Sequence, residues 1–497
     1  MGFAGTRGCA RPSSSGTWVV SSTRSVKPAK RKVKVSERSR QDPLRRVVDR
    51  HLPRAKPAKA APRARRRRKD ARSAGSQHAQ FALRLLRTLG PGVITGASDD
   101  DPSGIATYSQ AGSQFGFATL WTALLTFPFM LAVQDTCARI ALYTGAGLAT
   151  NLRRRFPTSL VALCVLALVI ANTINLGADI QAVAVGVSLL TNGVVQPGWL
   201  VAPVTAGLLA MLVRLKYASV VRIFKLLTLA LFAYVATAVI VRPPVLTTLH
   251  ATFVPHVELT GSFIGIIVAI FGTTISPYLF FWQASSEVDQ LREKATTSHR
   301  TTPSQRAVRA SRADVLVGML FSQVVMYCII LATAAVLHGH GTTVQSATQA
   351  AKALAPVAGS FASVIFAVGL VGAGFLAIPV LAGSAAYAVE EFLGLRGSLR
   401  DTARQSPTLY AVMGAAMAGG LTLTVLHINP IQALVVTAIV NGVAAPPILA
   451  LIAILARDAK VMGDQRSGTL RHLLLWTITV VMTVAAVALV VTTIWAS

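Results

Sequence analysis

The sequence predicts an all-α polytopic membrane protein of about eleven transmembrane helices, arranged as an inverted five-plus-five repeat with its first and sixth helices broken. Three observations lead to this fold class. The 497 residues are 53% hydrophobic and only 13% charged, whereas soluble domains are about 25% charged. Apolar stretches long enough to cross a bilayer core of about 30 Å recur along the chain. Two of these stretches are interrupted by polar and helix-breaking residues.

Residues 1–80 form a separate, strongly basic segment. They contain 23 Lys and Arg against 4 Asp and Glu, so most of the net charge of +29 lies here. Low hydrophobicity and like charges that repel one another predict a disordered cytoplasmic tail. Two interpretations stay open. The segment is either an arm attracted to anionic lipid or nucleic acid, or an over-long translation start.

The apolar stretches all fall in residues 85–497, which we take as the transmembrane domain. The predicted spans are 88–113, 117–142, 158–190, 198–213, 217–241, 261–287, 313–337, 359–391, 409–426, 430–456 and 472–496. The first and the sixth are the interrupted ones. This pattern predicts two five-span repeats of opposite orientation, roughly 85–242 and 258–458, with 472–496 as an extra helix.

Lys and Arg are distributed unevenly over the connections between these spans. With the N-terminus placed inside, the cytoplasmic connections and helix ends hold 23 of the 25 basic residues beyond residue 80. The opposite side holds only Arg242 and Lys352. Because basic residues are retained on the cytoplasmic side, we expect a multi-pass inner (plasma) membrane protein with a cytoplasmic N-terminus.

Span one is broken at residues 99–104, which read DDDPSG. An Asp at bilayer depth costs roughly 2.5–3.5 kcal/mol on insertion scales, and non-helical backbone is tolerated there only where it lines a cavity or is buried in protein. A bound cation is the simplest compensation for this charge. The alternative is that Asp101 is a plain helix cap, because Asp-Pro-Ser-Gly is a common turn or cap string.

Span six carries a second break at residues 272–277, which read GTTISP. Pro277 cannot donate a backbone hydrogen bond and disfavours helix at the residue before it. In folds with paired broken helices, unwound carbonyls and half-helix ends coordinate a cation near the bilayer midplane. We therefore predict a metal site formed by the Asp101 carboxylate, the Ser98 and Thr273 carbonyls and the Ser276 hydroxyl. Simple helix packing is the alternative role for Ser276.

These predicted ligands are all oxygens, and neither break contains Met, Cys or His. Oxygen ligands suit Mg²⁺, Ca²⁺ or Mn²⁺ better than softer transition ions. Mg²⁺ gives up water reluctantly and is usually held by one or two carboxylates with several waters retained.

At the two breaks the sequence resembles the Nramp family (natural resistance-associated macrophage proteins), divalent-metal transporters of the amino acid–polyamine–organocation superfamily. The resemblance covers most of residues 85–460 and implies a transporter with the metal between spans one and six. The residues that carry it are Gly90-Pro91-Gly92, Asp101-Pro102-Ser103-Gly104, residues 110–116 (QAGSQFG), Trp121, Gln134, Ala138-Arg139 and Thr144-Gly145.

Several positions depart from the family's usual pattern. Gly104 stands where the first break usually has Asn, and residues 276–278 read Ser-Pro-Tyr where the second usually has Met-Pro-His. Gln283 replaces a second His, and Ala182 replaces the Glu of an Asp-x-x-Glu motif whose Asp is Asp179. These changes remove a soft ligand and groups associated with proton transfer. The pattern is similar to that of the divergent Nramp-related branch associated with Mg²⁺ uptake, and Gly104 would widen the metal site.

A further set of polar residues is predicted to lie along the ion pathway. Its members are Asp99, Asp100, Asp179, Tyr278, Gln283 and Asn441. We expect Asp99 and Asp100 to line a vestibule or attract cations rather than to ligate one. Structural alternatives stay open for two others: Asp179 in a hydrogen-bonded cluster between helices, and Asn441 as a helix-packing residue.

We therefore expect a secondary transporter, not an enzyme, that moves Mg²⁺ and Mn²⁺ by alternating access with weak or no proton coupling. A proton-coupled Mn²⁺/Fe²⁺ importer is one alternative. A sodium- or proton-coupled carrier of a small organic solute is another, although an organic carboxylate would favour an uncharged first break. The divalent ion is the expected substrate, and no cofactor is expected. The expected partners are that ion and the lipid bilayer, with no nucleic acid.

Overall fold

The computed structural model describes residues 90–214, 232–298, 305–395, 397–423 and 429–496, and all regular structure within these ranges is helical. The predicted tail at 1–80 lies outside the described residues, and so does most of the predicted span at 217–241. The all-helical class predicted from the sequence is confirmed. The repeat boundaries stay a prediction.

The helices of the first half are α1 Pro91–Asp99, α2 Pro102–Phe115, α3 Trp121–Thr144, α4 Leu148–Arg155, α5 Thr158–Leu190, α6 Pro197–Arg214, α7 Phe232–Val241 and α8 Val245–Phe253. Those of the second half are α9 Gly261–Thr274, α10 Pro277–Ser298, α11 Gln305–Val336, α12 Ala347–Lys352, α13 Ala355–Ala358, α14 Ala362–Leu393, α15 Pro407–Leu423, α16 Pro430–Leu455, α17 Ala459–Met462 and α18 Thr469–Ala496. Short 3₁₀ turns join several of them.

Most of the predicted spans appear as long apolar helices. By length and composition, seven helical segments of the described chain could cross a membrane, or eight if the bent pair of α2 and α3 counts as one. The bend in that pair is 106°. Of the other predicted spans, 88–113 consists of α1 together with α2, and 217–241 is represented by α7. The span 409–426 corresponds to α15, which is 17 residues long. Both predicted breaks are present, between α1 and α2 and between α9 and α10.

Close helix contacts bring the two breaks together. The half-helices α1 and α2 pack on α11, α9 packs on α16, and α2 also contacts α9 and α16. Glycines allow these approaches, as is usual where membrane helices cross closely. A Cβ at Gly96 would fall on the Gly318 carbonyl of α11, and a Cβ at Gly272 would fall on the backbone of Ala438 and Gly442 in α16.

We expect Gly272→Ala to destabilise the protein by about 1–3 kcal/mol, because the added methyl overpacks a backbone contact. Gly414→Ala on α15 is the matched control, since nothing lies within 4 Å of a Cβ at that position. Thermal unfolding in detergent, followed by gel filtration of the heated samples, measures both. A melting temperature of Gly272→Ala equal to or above that of the control would contradict the contact between α9 and α16.

Candidate metal centre

The first break is a short non-helical segment that leads into the capped start of α2. Asp100 has φ −82° and ψ 51°, and Asp101 is extended. Pro102 begins α2, where a missing backbone N–H is tolerated. The Oδ1 atom of Asp101 accepts hydrogen bonds from the Gly104 backbone N–H at 2.7 Å and from the Ser103 hydroxyl at 2.6 Å. Asp101 therefore caps α2, and the cap uses only one carboxylate oxygen.

The second carboxylate oxygen of Asp101 faces two other helices. Oδ2 lies 3.2 Å from Nδ2 of Asn175 on α5 and 3.4 Å from the Tyr278 hydroxyl on α10. The same hydroxyl donates to the Ser98 carbonyl of α1 at 3.0 Å. Asp101 is 1% exposed and Tyr278 is fully buried. Two predicted ligands, the Asp101 carboxylate and the Ser98 carbonyl, thus meet at the Tyr278 hydroxyl.

The second break faces the start of α2. Ile275, which follows α9, has φ −120° and ψ 52°. The Ser276 hydroxyl donates to the carbonyls of Gly272 at 2.5 Å and of Thr273 at 2.9 Å. A Cβ added at Gly104 would lie 3.1 Å from Oγ1 of Thr273. The sequence suggested that Thr273 offers its carbonyl, whereas in the structure that carbonyl accepts from Ser276 and the Thr273 hydroxyl lies beside Gly104.

One face of α11 holds α1 along its length. The Asp314 carboxylate accepts from the backbone N–H groups of Gly90 at 2.9 Å and Gly92 at 2.7 Å, at the start of α1. Gly318, one turn later, allows the two backbones to touch. Ser322, a further turn on, reaches the end of α1. These three residues are spaced by four and therefore share a helix face.

Asp99 and Asp100 are buried against this face of α11. The Ser322 hydroxyl donates to Oδ2 of Asp99 at 2.5 Å and lies 3.3 Å from Oδ1 of Asp100. Their other oxygens, Oδ1 of Asp99 and Oδ2 of Asp100, have no hydrogen-bond partner in the described part of the chain. The C-terminal end of a helix carries partial negative charge, so both carboxylates sit in an unfavourable field.

Asp179 is a further buried acid near the first break. It lies one turn after Asn175 on α5, and so on the same face of that helix. A Cβ at Gly374 would lie 3.8 Å from the Asp179 carbonyl and 3.4 Å from Pro102. Neither carboxylate oxygen of Asp179 has a hydrogen-bond partner among the described residues. The alternative of a hydrogen-bonded structural cluster therefore finds no support at this side chain.

The remaining predicted pathway residues divide into two cases. Asn441 is buried on α16, immediately before the glycine that contacts the end of α9, and its amide finds no partner among the side chains described. Gln283 is instead fully engaged. It accepts from the Thr95 hydroxyl at 2.6 Å and donates to Glu287 at 3.2 Å. Gln283 therefore links α1 to α10 beyond the break.

Within the described ranges, basic side chains do not balance the charge of this region. Among the described residues, no ion pair involves Asp99, Asp100, Asp101 or Asp179. A buried carboxylate without a partner is costly, so the region favours bound cations. In the same part of the chain, no group of three or more His, Cys, Asp or Glu side chains is arranged to hold a metal. The predicted site instead combines one carboxylate with carbonyl and hydroxyl oxygens.

Three residues that bond the first break or the half-helix leading into it were not among the predicted site residues. They are Asn175, Ser322 and Asp314. Asn175 could have been found, because it lies one turn from Asp179. Ser322 gave no signal, since one serine within an apolar span is ordinary. Asp314 lies near the end of its predicted span, where a charged residue needs no special explanation.

Comparison with known proteins identifies relatives over most of the chain. Residues 92–492 match the family model Nramp, described as natural resistance-associated macrophage protein-like. A divalent metal cation transporter MntH of Xanthomonas campestris pv. campestris is 27% identical over 63% of this chain and 70% of its own length. The MntH of Aeromonas hydrophila subsp. hydrophila is 26% identical over 77% of this chain and 90% of its own.

Two solved structures share the fold. The Eremococcus coleocola manganese transporter, solved with an aromatic bis-isothiourea compound, has a TM-score of 0.64 at 17% identity, covering 82% of this chain and 86% of that one. Mhp1, a nucleobase-cation-symport-1 family transporter in a closed conformation, has a TM-score of 0.53 at 12% identity, covering 82% and 92%. Identities this low show a common fold and nothing finer.

We expect Asp314→Ala to loosen α1, because it removes both acceptors at the start of that helix. Loss of a helix cap costs about 0.5–2 kcal/mol, so amide hydrogen exchange in residues 90–99 should accelerate roughly 2- to 30-fold. Hydrogen-exchange mass spectrometry in detergent measures this. Ser346→Ala is the control, since that hydroxyl caps α12 and not α1. Unchanged exchange in α1 of the Asp314 variant would show that this carboxylate does not secure the helix.

Proposed function

We infer that this chain, which belongs to the Nramp family, is a secondary transporter. It carries divalent metal cations across a membrane by alternating access. Relatives named divalent metal cation transporters support the substrate class. The shared fold with two membrane transporters supports the architecture.

One observation carries this proposal: the position of the Asp101 carboxylate. It caps α2 with one oxygen and turns the other towards α5 and α10, where the two breaks meet. It is buried, and no basic side chain among the described residues pairs with it. A divalent cation would neutralise this charge. The Ser98 carbonyl shares the Tyr278 hydroxyl with this carboxylate, the Gly104 N–H caps it, and the Thr273 hydroxyl lies beside Gly104, so we propose these residues together with Ser276 as the surroundings of the ion.

We propose Mg²⁺ as the preferred ion, with Mn²⁺ as a competing substrate. The groups that meet at the breaks are carboxylate, carbonyl and hydroxyl oxygens, and such hard ligands favour Mg²⁺ over softer ions. Weak or absent proton coupling follows from two side chains that do not titrate near neutral pH. Tyr278 and Gln283 stand at the two positions where the family usually has His, and Gln283 is already bonded to Thr95.

A proton-coupled Mn²⁺/Fe²⁺ importer is the second candidate. The buried Asp179, with no hydrogen-bond partner in the described ranges, favours it, because an isolated intramembrane acid can bind a proton. Uptake into liposomes loaded with metal-sensitive and pH-sensitive dyes distinguishes the two candidate functions. Mg²⁺ entry without internal acidification supports the first, and strict acidification with Mn²⁺ entry supports the second.

We place the N-terminus on the cytoplasmic side of an inner (plasma) membrane, following the Lys/Arg distribution.

We expect Asp101→Asn to reduce Mg²⁺ and Mn²⁺ entry to the level of empty liposomes. The amide keeps the size of the side chain and an oxygen for the cap, so the loss would report the missing charge. Asp464→Asn, at an exposed carboxylate outside the membrane spans, should transport like the unmodified protein. Full Mg²⁺ flux in the Asp101 variant would remove the basis of the proposed metal site.

We expect Ser276→Met to shift selectivity from Mg²⁺ towards softer ions, because a thioether favours them. The measurement is the ratio of Cd²⁺ to Mg²⁺ uptake in the same liposomes. Ser276→Ala is the control, since it removes the hydroxyl without adding sulfur. An equal ratio in the two variants would mean that residue 276 does not face the transported ion.

A further inference from the structure

We propose that Tyr278 determines selectivity between Mg²⁺ and Mn²⁺, by accepting a hydrogen bond from a water molecule that the bound cation retains. This inference rests on the proposed function and adds a role for one side chain at the same site. The Tyr278 hydroxyl donates its proton towards the Ser98 carbonyl and the Asp101 carboxylate, and its own lone pairs would accept from a water bound to the cation.

The first step concerns what holds the hydroxyl in place. Tyr278 is the second residue of α10, directly after Pro277, and its side chain is fully buried within an apolar cluster. Its ring therefore has little freedom to move away. The hydroxyl is the only polar atom of this side chain, and it lies where the two breaks meet.

The second step concerns the proton of this hydroxyl. Its two neighbours are the Ser98 carbonyl at 3.0 Å and Oδ2 of Asp101 at 3.4 Å, and both can only accept. The hydroxyl has one proton to give and two lone pairs to offer. Among the described residues, no group donates a hydrogen bond to those lone pairs. Tyr278 thus acts as a donor towards these residues, and its lone pairs can serve a further partner.

The third step concerns what changes when a cation arrives. A cation that binds the Ser98 carbonyl and the Asp101 carboxylate leaves each of these oxygens a further lone pair, so the Tyr278 hydroxyl keeps an acceptor for its proton. Its own lone pairs then remain available to a water on the ion. Mg²⁺ sheds its water reluctantly and usually keeps several waters when bound to protein. Water on a dication is a strong hydrogen-bond donor, and in a buried site it needs an acceptor.

The fourth step concerns selectivity. Mn²⁺ exchanges its water more readily than Mg²⁺ and binds protein ligands directly with less penalty, so it depends less on an acceptor for retained water. Removing the hydroxyl should therefore weaken Mg²⁺ binding more than Mn²⁺ binding. A buried donor left without a partner changes binding by roughly tenfold or more. A purely structural role of Tyr278 would affect both ions alike.

The test is Tyr278→Phe, which keeps the ring and removes only the hydroxyl. We expect the KM for Mg²⁺ uptake into liposomes to rise about tenfold, while the KM for Mn²⁺ changes less than about threefold. Tyr327→Phe is the matched control, because it removes a hydroxyl that bonds Thr252 between α8 and α11. It should leave both values unchanged.

Calorimetric titration of Mg²⁺ and Mn²⁺ into the folded fraction isolated by gel filtration repeats the comparison independently of protein yield. An unchanged ratio of Mg²⁺ to Mn²⁺ affinity in Tyr278→Phe, whether both affinities stay or both fall, would overturn the inference. Absence of Mg²⁺ transport by the unmodified protein would instead overturn the proposed function. The two failures are therefore distinguishable.

Discussion

The burial of carboxylates without basic partners is the constraint on which the centre of this protein depends. Asp99, Asp100, Asp101 and Asp179 lie within the helical assembly, and no Lys or Arg of the described chain pairs with them. Hydroxyl, amide and backbone N–H groups supply all of their recorded hydrogen bonds. These neutral donors offset only part of the cost of burying charge, and a cation can offset the rest.

The fold meets this constraint by bringing two unwound segments face to face. Proline starts the second half-helix at each break, and glycine contacts allow α9 to approach α16 and α1 to approach α11. Asp101 then has two roles, since one oxygen caps α2 and the other faces α5 and α10. A helix cap and a metal ligand are therefore compatible at this residue, and finding the first does not exclude the second.

Much of this arrangement could be predicted from the sequence, and the reasons are physical. Long apolar stretches have few structural solutions in a bilayer, so the helices and both breaks could be located. Side-chain partners across helices could not, because they depend on rotation and register. Thr273 shows this, since its carbonyl accepts from Ser276 while its hydroxyl lies beside Gly104. Gln283 shows it as well, because it bonds Thr95 on α1. Nothing in the sequence distinguished Ser322 from an ordinary serine of an apolar span.

The face of α11 formed by Asp314, Gly318 and Ser322 has a mechanical consequence. Because α1 is fastened there at its first residues, along its middle and at its last residues, it cannot swing independently without breaking all three attachments. The two helices therefore have to move together. Since α11 also packs on α2, its displacement would act on both sides of the non-helical pair at 100–101.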